Sequence, residues 1–465
     1  MNPLKFWLKT LTLFSFFFVV AFNNAAQQSA YVSDVIGVEE NMLYANYWTS
    51  KLSNSDIELL SATQIRSGNE QLFKTNNKMM EIAQYPKSQT AAIISAKIQK
   101  ISSPASSPRF YSDGQLVTKA NYDTYNQALN LSGLPRLQTI KFGLVVRRTN
   151  MRTFPTSDKI YKTTTSTNLD RFQETALFPT EAVAVLHESL DKKWFFAVSY
   201  NYTAWVKKED IALGDREQII NYKNSNDFLV VSGSKIYTSF NPENESISEL
   251  QLEMGTVLPL VEGENIPTTI AGQNTYASYV VYLPVRDLDG KLIIQAALIS
   301  RSDDVHRGYL AYTQDNIIKQ SFKFLGERYG WGHSFNARDC TGFIGEVFKS
   351  FGILMPRNSG DQGLSEQGIN TRFLKTASES KKMKSVGELS VGDLIYIPGH
   401  VMMVLGHQDD KPFIIHDVSG MSYFKENGDY YKSSLNGVSI TPLLTMQLSQ
   451  DKSYLDKIYN IKKIK

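Results

Sequence analysis

Apolar positions along the chain change their spacing three times, and each change marks a different kind of structure. Residues 39 to 75 carry a helical pattern. Met42, Leu43, Tyr47 and Trp48 form one stripe, and Ser55 with Glu58 resembles a capping box ahead of Ile57, Leu59, Leu60 and Ile65. "SSPASSP" (102–108) and "SGLPR" (132–136) are breaks. From Lys141 the pattern shortens to strands in "FGLVV", "AVAVLHES", "WFFAVSYNY" and "AWVKKEDIAL", the spacing of a small barrel ending near Gly214. A second β-rich stretch opens at "DFLVVSGSKIYTSF" (227–240) and ends near Ala311. Leu144-Val145-Val146 is echoed by Leu229-Val230-Val231, which hints at two related units.

After Asp315 helical spacing returns. Ile318, Phe322 and Leu325 predict a helix stopped by Gly326, followed by the loop Tyr329-Gly330-Trp331-Gly332. Phe343, Ile344, Val347, Phe348 and Phe351 predict another helix, beginning near Cys340 and ending before Gly352. "DLIYIPGHVMMVLG" reads as strand, Pro-Gly turn and strand, and "KPFIIHDVSG" as a further strand. The predicted fold class is α+β and multidomain. Its parts are a signal segment at 1–26, a helical N-terminal region at 27–138, small β-barrels at 139–214 and 215–311, and an α+β domain at 312–465.

The first 26 residues alter the chemistry expected of the rest. Lys5 and Lys9 precede an apolar run over 11–22 and the small residues Ala25 and Ala26, which is the build of a secretory signal. A run of about 12 apolar residues is short for crossing a bilayer, and no cysteine follows it to carry a lipid. Export to the periplasm or cell exterior is therefore expected, without stable membrane insertion. Loss of that segment takes the formal charge from +3 to +1, which gives no support to nucleic acid as a partner.

Cys340 is the only cysteine in 465 residues. An exported protein usually pairs its cysteines, and this one has no intramolecular partner. A buried inert thiol would sit in mid-helix on the apolar face, whereas Cys340 stands at the polar entry. There the free N–H groups and the dipole should lower its pKa and can hold an oxyanion. His400 and His416 supply a candidate base and its orienting partner. If 400–405 pairs with 413–418, Leu405 faces Phe413, His416 faces Met402, and the two imidazoles share one face. His187, His306 and His407 are expected to be structural or solvated, and His333 near Cys340 is ambiguous. A zinc site of Cys340, His400 and His416 is the competing chemistry, although close ligand-pair spacings are absent.

"YGWG…RDCTGF…VFKSFGILMPRNSGDQ…VGDLIYIPGHVMMVLG…IIHDVSG" resembles the NlpC family of bacterial cell-wall cysteine peptidases, over about 310–465. Residues 142–206 are similar to the bacterial SH3-like barrel that precedes the peptidase in one subgroup, which carries two such barrels. The resemblance implies a papain-like core and no cofactor or metal. It implies Cys340 as nucleophile, His400 as base, His416 as third member, and Tyr329 near the oxyanion. It further implies a substrate pocket around Trp331, with Asp339 holding a free L-alanine amine beside Thr341, and with Glu174 and Tyr202 as barrel residues of the same subsite. Capping of the helix is the alternative role for Asp339. Thr341 stands where serine is usual, Met355 where leucine is usual, and His333 where glycine is frequent. The implied activity is hydrolysis of the γ-D-glutamyl–diamino acid bond of peptidoglycan stem peptides. A muramoyl-alanine amidase and an idle wall-binding protein are the alternatives.

Overall fold

A computed structural model describes residues 31–465; the proposed signal segment at 1–26 lies outside the described residues. The chain mixes helix and antiparallel sheet in a multidomain arrangement. Helices Ala62–Thr75, Ala91–Ile101 and Lys119–Ala128 lie in the N-terminal part. The capping box is not at Ser55. Leu59 N–H donates to the Tyr312 carbonyl at 2.8 Å and Leu60 bridges to Tyr312, which holds that stretch extended. The helix starts one turn later, where Ser61 and Gln64 cap each other reciprocally. Trp48 is buried and lies 5.5 Å from Phe413 between ring centroids, which pins this N-terminal stripe to the back of the His416 strand.

The first β-unit is a seven-stranded antiparallel sheet. Its strand order is Gln173–Leu177, Thr149–Arg152, Thr203–Lys207, Trp194–Val198, Ala182–Glu188, Lys141–Val145 and Ile211–Gly214. Leu144, Phe196 and Trp205 are fully buried beneath it. Thr149–Arg152 and Gln173–Leu177 are short and largely polar, so alternation does not betray them. The second β-unit pairs Phe228–Val231 with Val257–Pro259 and Val305–Arg307. It adds the long hairpin Ser278–Arg286 with Leu292–Ser300.

The C-terminal part is built on a six-stranded antiparallel sheet that includes Leu394–Ile397, His400–Gln408, Lys411–Val418 and Gly437–Pro442. Against one face lie helices Gln314–Phe322 and Cys340–Lys349, whose Ile317, Phe343, Ile344, Val347 and Phe348 are fully buried. Such burial is worth roughly 1.5–3 kcal/mol per large apolar side chain, so the helix is held on the sheet by its apolar stripe. Its first residue is thereby fixed at the sheet's end.

Candidate functional site

Cys340 is the first residue of its helix and is 8% exposed. The backbone amide of Val401, the residue after His400, faces the thiol and lowers its pKa. Burial, with help from the Asp339 carboxylate, outweighs that effect and pushes the thiol up to about 12. The expected lowering by the helix terminus is therefore corrected: desolvation dominates, and the resting group is a neutral thiol.

The histidine hairpin follows the alternation that the sequence displays. Ile397 pairs with His400 around the Pro398-Gly399 turn, where Gly399 takes φ +79. Met403 pairs with Ile415 and Val404 with Ile414, a register that carries His416 opposite Met402 one step on. At the far end the pairing slips. Leu405 bulges out and Phe413 pairs with Gly406 instead, so the expected Leu405–Phe413 pair does not form. The slip lies beyond the histidines and leaves them together, with His400 Nε2 2.9 Å from His416 Nδ1. His416 Nε2 in turn lies 3.1 Å from the Thr441 hydroxyl. Burial holds His400 down to about 4, and burial with the neighbouring His400 holds His416 well below the ordinary imidazole value. Both rings are neutral at physiological pH. No side-chain hydrogen bond joins Cys340 to His400; the thiol meets the hairpin through Val401.

Asp339 caps the helix, the second of the two roles the sequence left open. Its carboxylate accepts from Gly342 N–H at 2.9 Å, Gly332 N–H at 3.0 Å and the Thr341 hydroxyl at 3.0 Å. Arg357 donates to both its oxygens, at 3.1 and 2.7 Å. Burial pushes Asp339 up, but the Arg357 guanidinium and its hydrogen bonds leave it well below the usual carboxylate range. Arg357 also donates to Thr175 at 2.7 Å and to the Thr341 hydroxyl at 2.6 Å, which ties the helix start to the first β-unit. Thr341 is thus held inside this cluster.

The Tyr329–Gly332 loop leans on the same unit. Trp331 Nε1 donates to the Gln173 carbonyl at 3.1 Å, and Gln173 Nε2 donates to the Gly332 carbonyl at 2.7 Å. Gly332 sits at φ +55, and a Cβ there would lie 2.9 Å from the Glu174 carbonyl, so glycine is required twice over. His333 keeps the left-handed conformation at φ +66 that a glycine would adopt freely. Its buried ring reaches Thr175 at 3.3 Å and Arg357 at 3.2 Å through Nδ1. His333 Nε2 stands 3.3 Å from Glu346 Oε1, yet the angle makes no hydrogen bond. Burial holds His333 down to about 4, so the contact is not an ion pair near neutral pH.

Glu174 and Tyr202 come together: the Tyr202 hydroxyl donates to Glu174 Oε2 at 2.5 Å, and Thr153 donates to Oε1 at 2.5 Å. Among the described residues no cation pairs with Glu174. Tyr329 lies within electrostatic reach of Asp339, Cys340 and Asp417, and burial followed by these groups raises its pKa.

Pattern reading missed Arg357, Thr175, Thr441 and Asp417. Asp417 is fully buried, and among the described residues neither carboxyl oxygen has a hydrogen-bond partner. Burial, then Asp339 and Glu327, push it up to about 9 against the opposing Arg338 guanidinium. Its position beside His416 was visible; its isolation was not. Among the described residues no group of three or more His, Cys, Asp or Glu is placed to hold a metal ion, and no helix is long and apolar enough to cross a membrane.

A free thiol at a helix start thus lies beside a hairpin that carries two hydrogen-bonded imidazoles. Residues 326–440 match the NlpC/P60 family and residues 158–207 match the SH3 domain of SH3b1 type, and the chain carries both domains. It is 27% identical over 169 residues to a "Gamma-D-glutamyl-L-lysine dipeptidyl-peptidase" of Bacillus subtilis (strain 168), covering 36% of this chain and 47% of that one. A protein of the same name from Bacillus cereus (strain ATCC 10987 / NRS 248) is 26% identical over 179 residues, covering 37% and 47%. The chain spans about half the length of these curated relatives. An NlpC/P60 endopeptidase structure from Photobacterium damselae subsp. piscicida shares the fold across 90% of this chain and 96% of its own, with TM-score 0.71 and 18% identity.

Proposed function

We propose that the chain is an exported cysteine endopeptidase that cuts the γ-D-glutamyl–diamino acid bond of peptidoglycan stem peptides. Its proposed parts are a helical N-terminal region at 27–138, two SH3-like barrels at 139–214 and 215–311, and the peptidase domain at 312–465. The observation that carries the reading is the 2.9 Å His400–His416 contact beside a lone thiol at a helix start. The names of the two Bacillus relatives support the bond.

The chemistry follows from the tautomers. If His416 Nε2–H donates to Thr441, its Nδ1 accepts from His400 Nε2–H, and His400 Nδ1 keeps a free lone pair. That lone pair takes the Cys340 proton as sulfur attacks the γ-carbonyl carbon. Because both groups rest neutral, proton transfer accompanies attack and does not precede it. The oxyanion is held by backbone N–H groups at the helix start, with Tyr329 near. Collapse breaks the C–N bond, and the diamino acid leaves as an amine carrying the His400 proton. Water, deprotonated by His400, then hydrolyses the thioester and restores the thiol.

Specificity for a free N-terminal L-alanine is assigned to Glu174 with Tyr202, with Trp331 and Thr341 contributing to the pocket. Asp339 is already neutralised by Arg357, whereas among the described residues Glu174 accepts only from hydroxyl donors and pairs with no cation. An ammonium is the partner it lacks. The test is digestion of purified stem peptides with mass analysis of the fragments. L-Ala-γ-D-Glu plus a diamino-acid fragment supports the reading. Release of intact stem peptide from muramic acid would make the chain an amidase, and no cleavage at all would leave a wall-binding protein.

A further inference from the structure

At the opposite end of the Cys340 helix lies a cavity of about 280 Å³ that the proposed reaction does not use. It is roughly twice the ~150 Å³ apolar cavity that takes up benzene in an engineered protein core. Four parts of the chain meet around it. Phe73 and Met80 come from the N-terminal region, Phe142 and Ile220 from the first β-unit and the helix after it, Val257 from the second β-unit, and Leu354 from beyond the Cys340 helix.

The polar groups in its wall are unevenly matched. Lys349 is paired with Glu181 at 2.5 Å. Lys223 donates to the Thr180 carbonyl at 3.4 Å and feels Glu181 only at a distance; burial, then the neighbouring Lys349, lower its pKa to about 8, and among the described residues it forms no ion pair. Arg216 donates to the Ala83 carbonyl and stacks 5.2 Å over Phe142, and among the described residues it pairs with no carboxylate. Glu81 is the remaining acid in the wall, so three cations face two carboxylates. The turn that presents the Thr180 carbonyl is itself unusual. Glu181 N–H closes it onto the Phe178 carbonyl at 3.2 Å, with Pro179 then Thr180 at its centre. Thr180 sits at φ +73, where a β-branched residue is strained and glycine or asparagine is the ordinary choice. Strain of this kind collects at ligand clamps.

We propose that this cavity binds an amphipathic monoanion, an alkyl carboxylate, with its chain among Phe73, Met80, Ile220 and Leu354 and its carboxylate at Lys223 and Arg216. An apolar interior with a few convergent polar groups is the usual make-up of a small-molecule site, and the excess positive charge selects the head group. The proposal concerns binding alone and does not depend on the peptidase reading.

Isothermal titration of the full chain with decanoate, decanol and decyltrimethylammonium tests it. Decanoate is expected to bind saturably, one per chain, about tenfold more tightly than decanol, with no binding of the cation. Lys223→Met is expected to weaken decanoate about tenfold and to leave decanol unchanged. Ile220→Trp, which fills the cavity, is expected to abolish both; if that variant fails to fold, Lys223→Met decides alone. Absence of saturable decanoate binding, equal affinity for decanoate and decanol, or an unchanged Lys223→Met variant would each overturn the proposal.

Discussion

The two sides of the thiol are built on opposite principles. The histidine side is neutral: His400 and His416 are desolvated, hydrogen-bonded to each other and anchored on Thr441. The aspartate side is charged and saturated, with Asp339 holding two donors of Arg357 and three further hydrogen bonds. A neutral pair can move a proton without a large charge rearrangement in the buried surroundings. A saturated ion pair cannot easily change state, and so it fixes geometry. The comparison assigns chemistry to the hairpin and rigidity to the Arg357 cluster.

Breaking the hairpin should have the largest effect on rate. His400→Ala is expected to lower turnover about 10²–10⁴-fold while circular dichroism stays native. Breaking the cluster should instead cost stability. Arg357→Ala leaves Asp339 buried without its cation, so a loss of roughly 3–5 kcal/mol is expected in denaturant unfolding. A variant that lost activity while keeping full stability would reverse the assignment.

Asp417 sharpens the contrast, because it is a buried carboxyl that belongs to neither arrangement. Its folded pKa is raised, so its favourable protonated form is fully present below about 4 and is lost as pH rises towards about 9. Asp417→Asn is therefore expected to stabilise the protein by about 1–3 kcal/mol at neutral pH, with a gain that grows with pH over that window. Thermal melts at several pH values check it. His416→Asn keeps a hydrogen-bonding group near His400, and a rate loss of only about tenfold is expected.

The smallest effect is a shift in pH profile. The proposed mechanism uses His400 as a neutral base, and burial lowers its pKa to about 4. The acid limb of kcat/KM should therefore fall near pH 4, not near the ordinary imidazole value. The same sign governs stability: the contribution of the buried neutral ring is present above about 6.5 and is lost as pH falls towards 4.

What was legible in the chain follows the same division. The hairpin could be read because strand alternation and a Pro-Gly turn are local, and only the bulge at Leu405 escaped. The helix start at Cys340 was equally local. The Arg357 cluster joins residues 175, 333, 339, 341 and 357, whose meeting depends on how the first β-unit docks, and no periodicity records that. Glu174 and Tyr202 were reached only through resemblance, since Gln173–Leu177 shows no clean strand pattern. The thiol pKa was misjudged for the same reason. The helix dipole is visible in sequence, whereas the burial that outweighs it is a tertiary property.

The central claim is that Cys340 itself forms and releases the acyl intermediate. It is tested most directly by acid-quenching the enzyme during turnover of L-Ala-γ-D-Glu-diaminopimelate and mapping the covalent adduct by mass spectrometry. An L-Ala-γ-D-Glu acyl group is expected on the peptide containing Cys340, with neither adduct nor turnover in Cys340→Ala. Undiminished turnover by Cys340→Ala would contradict it.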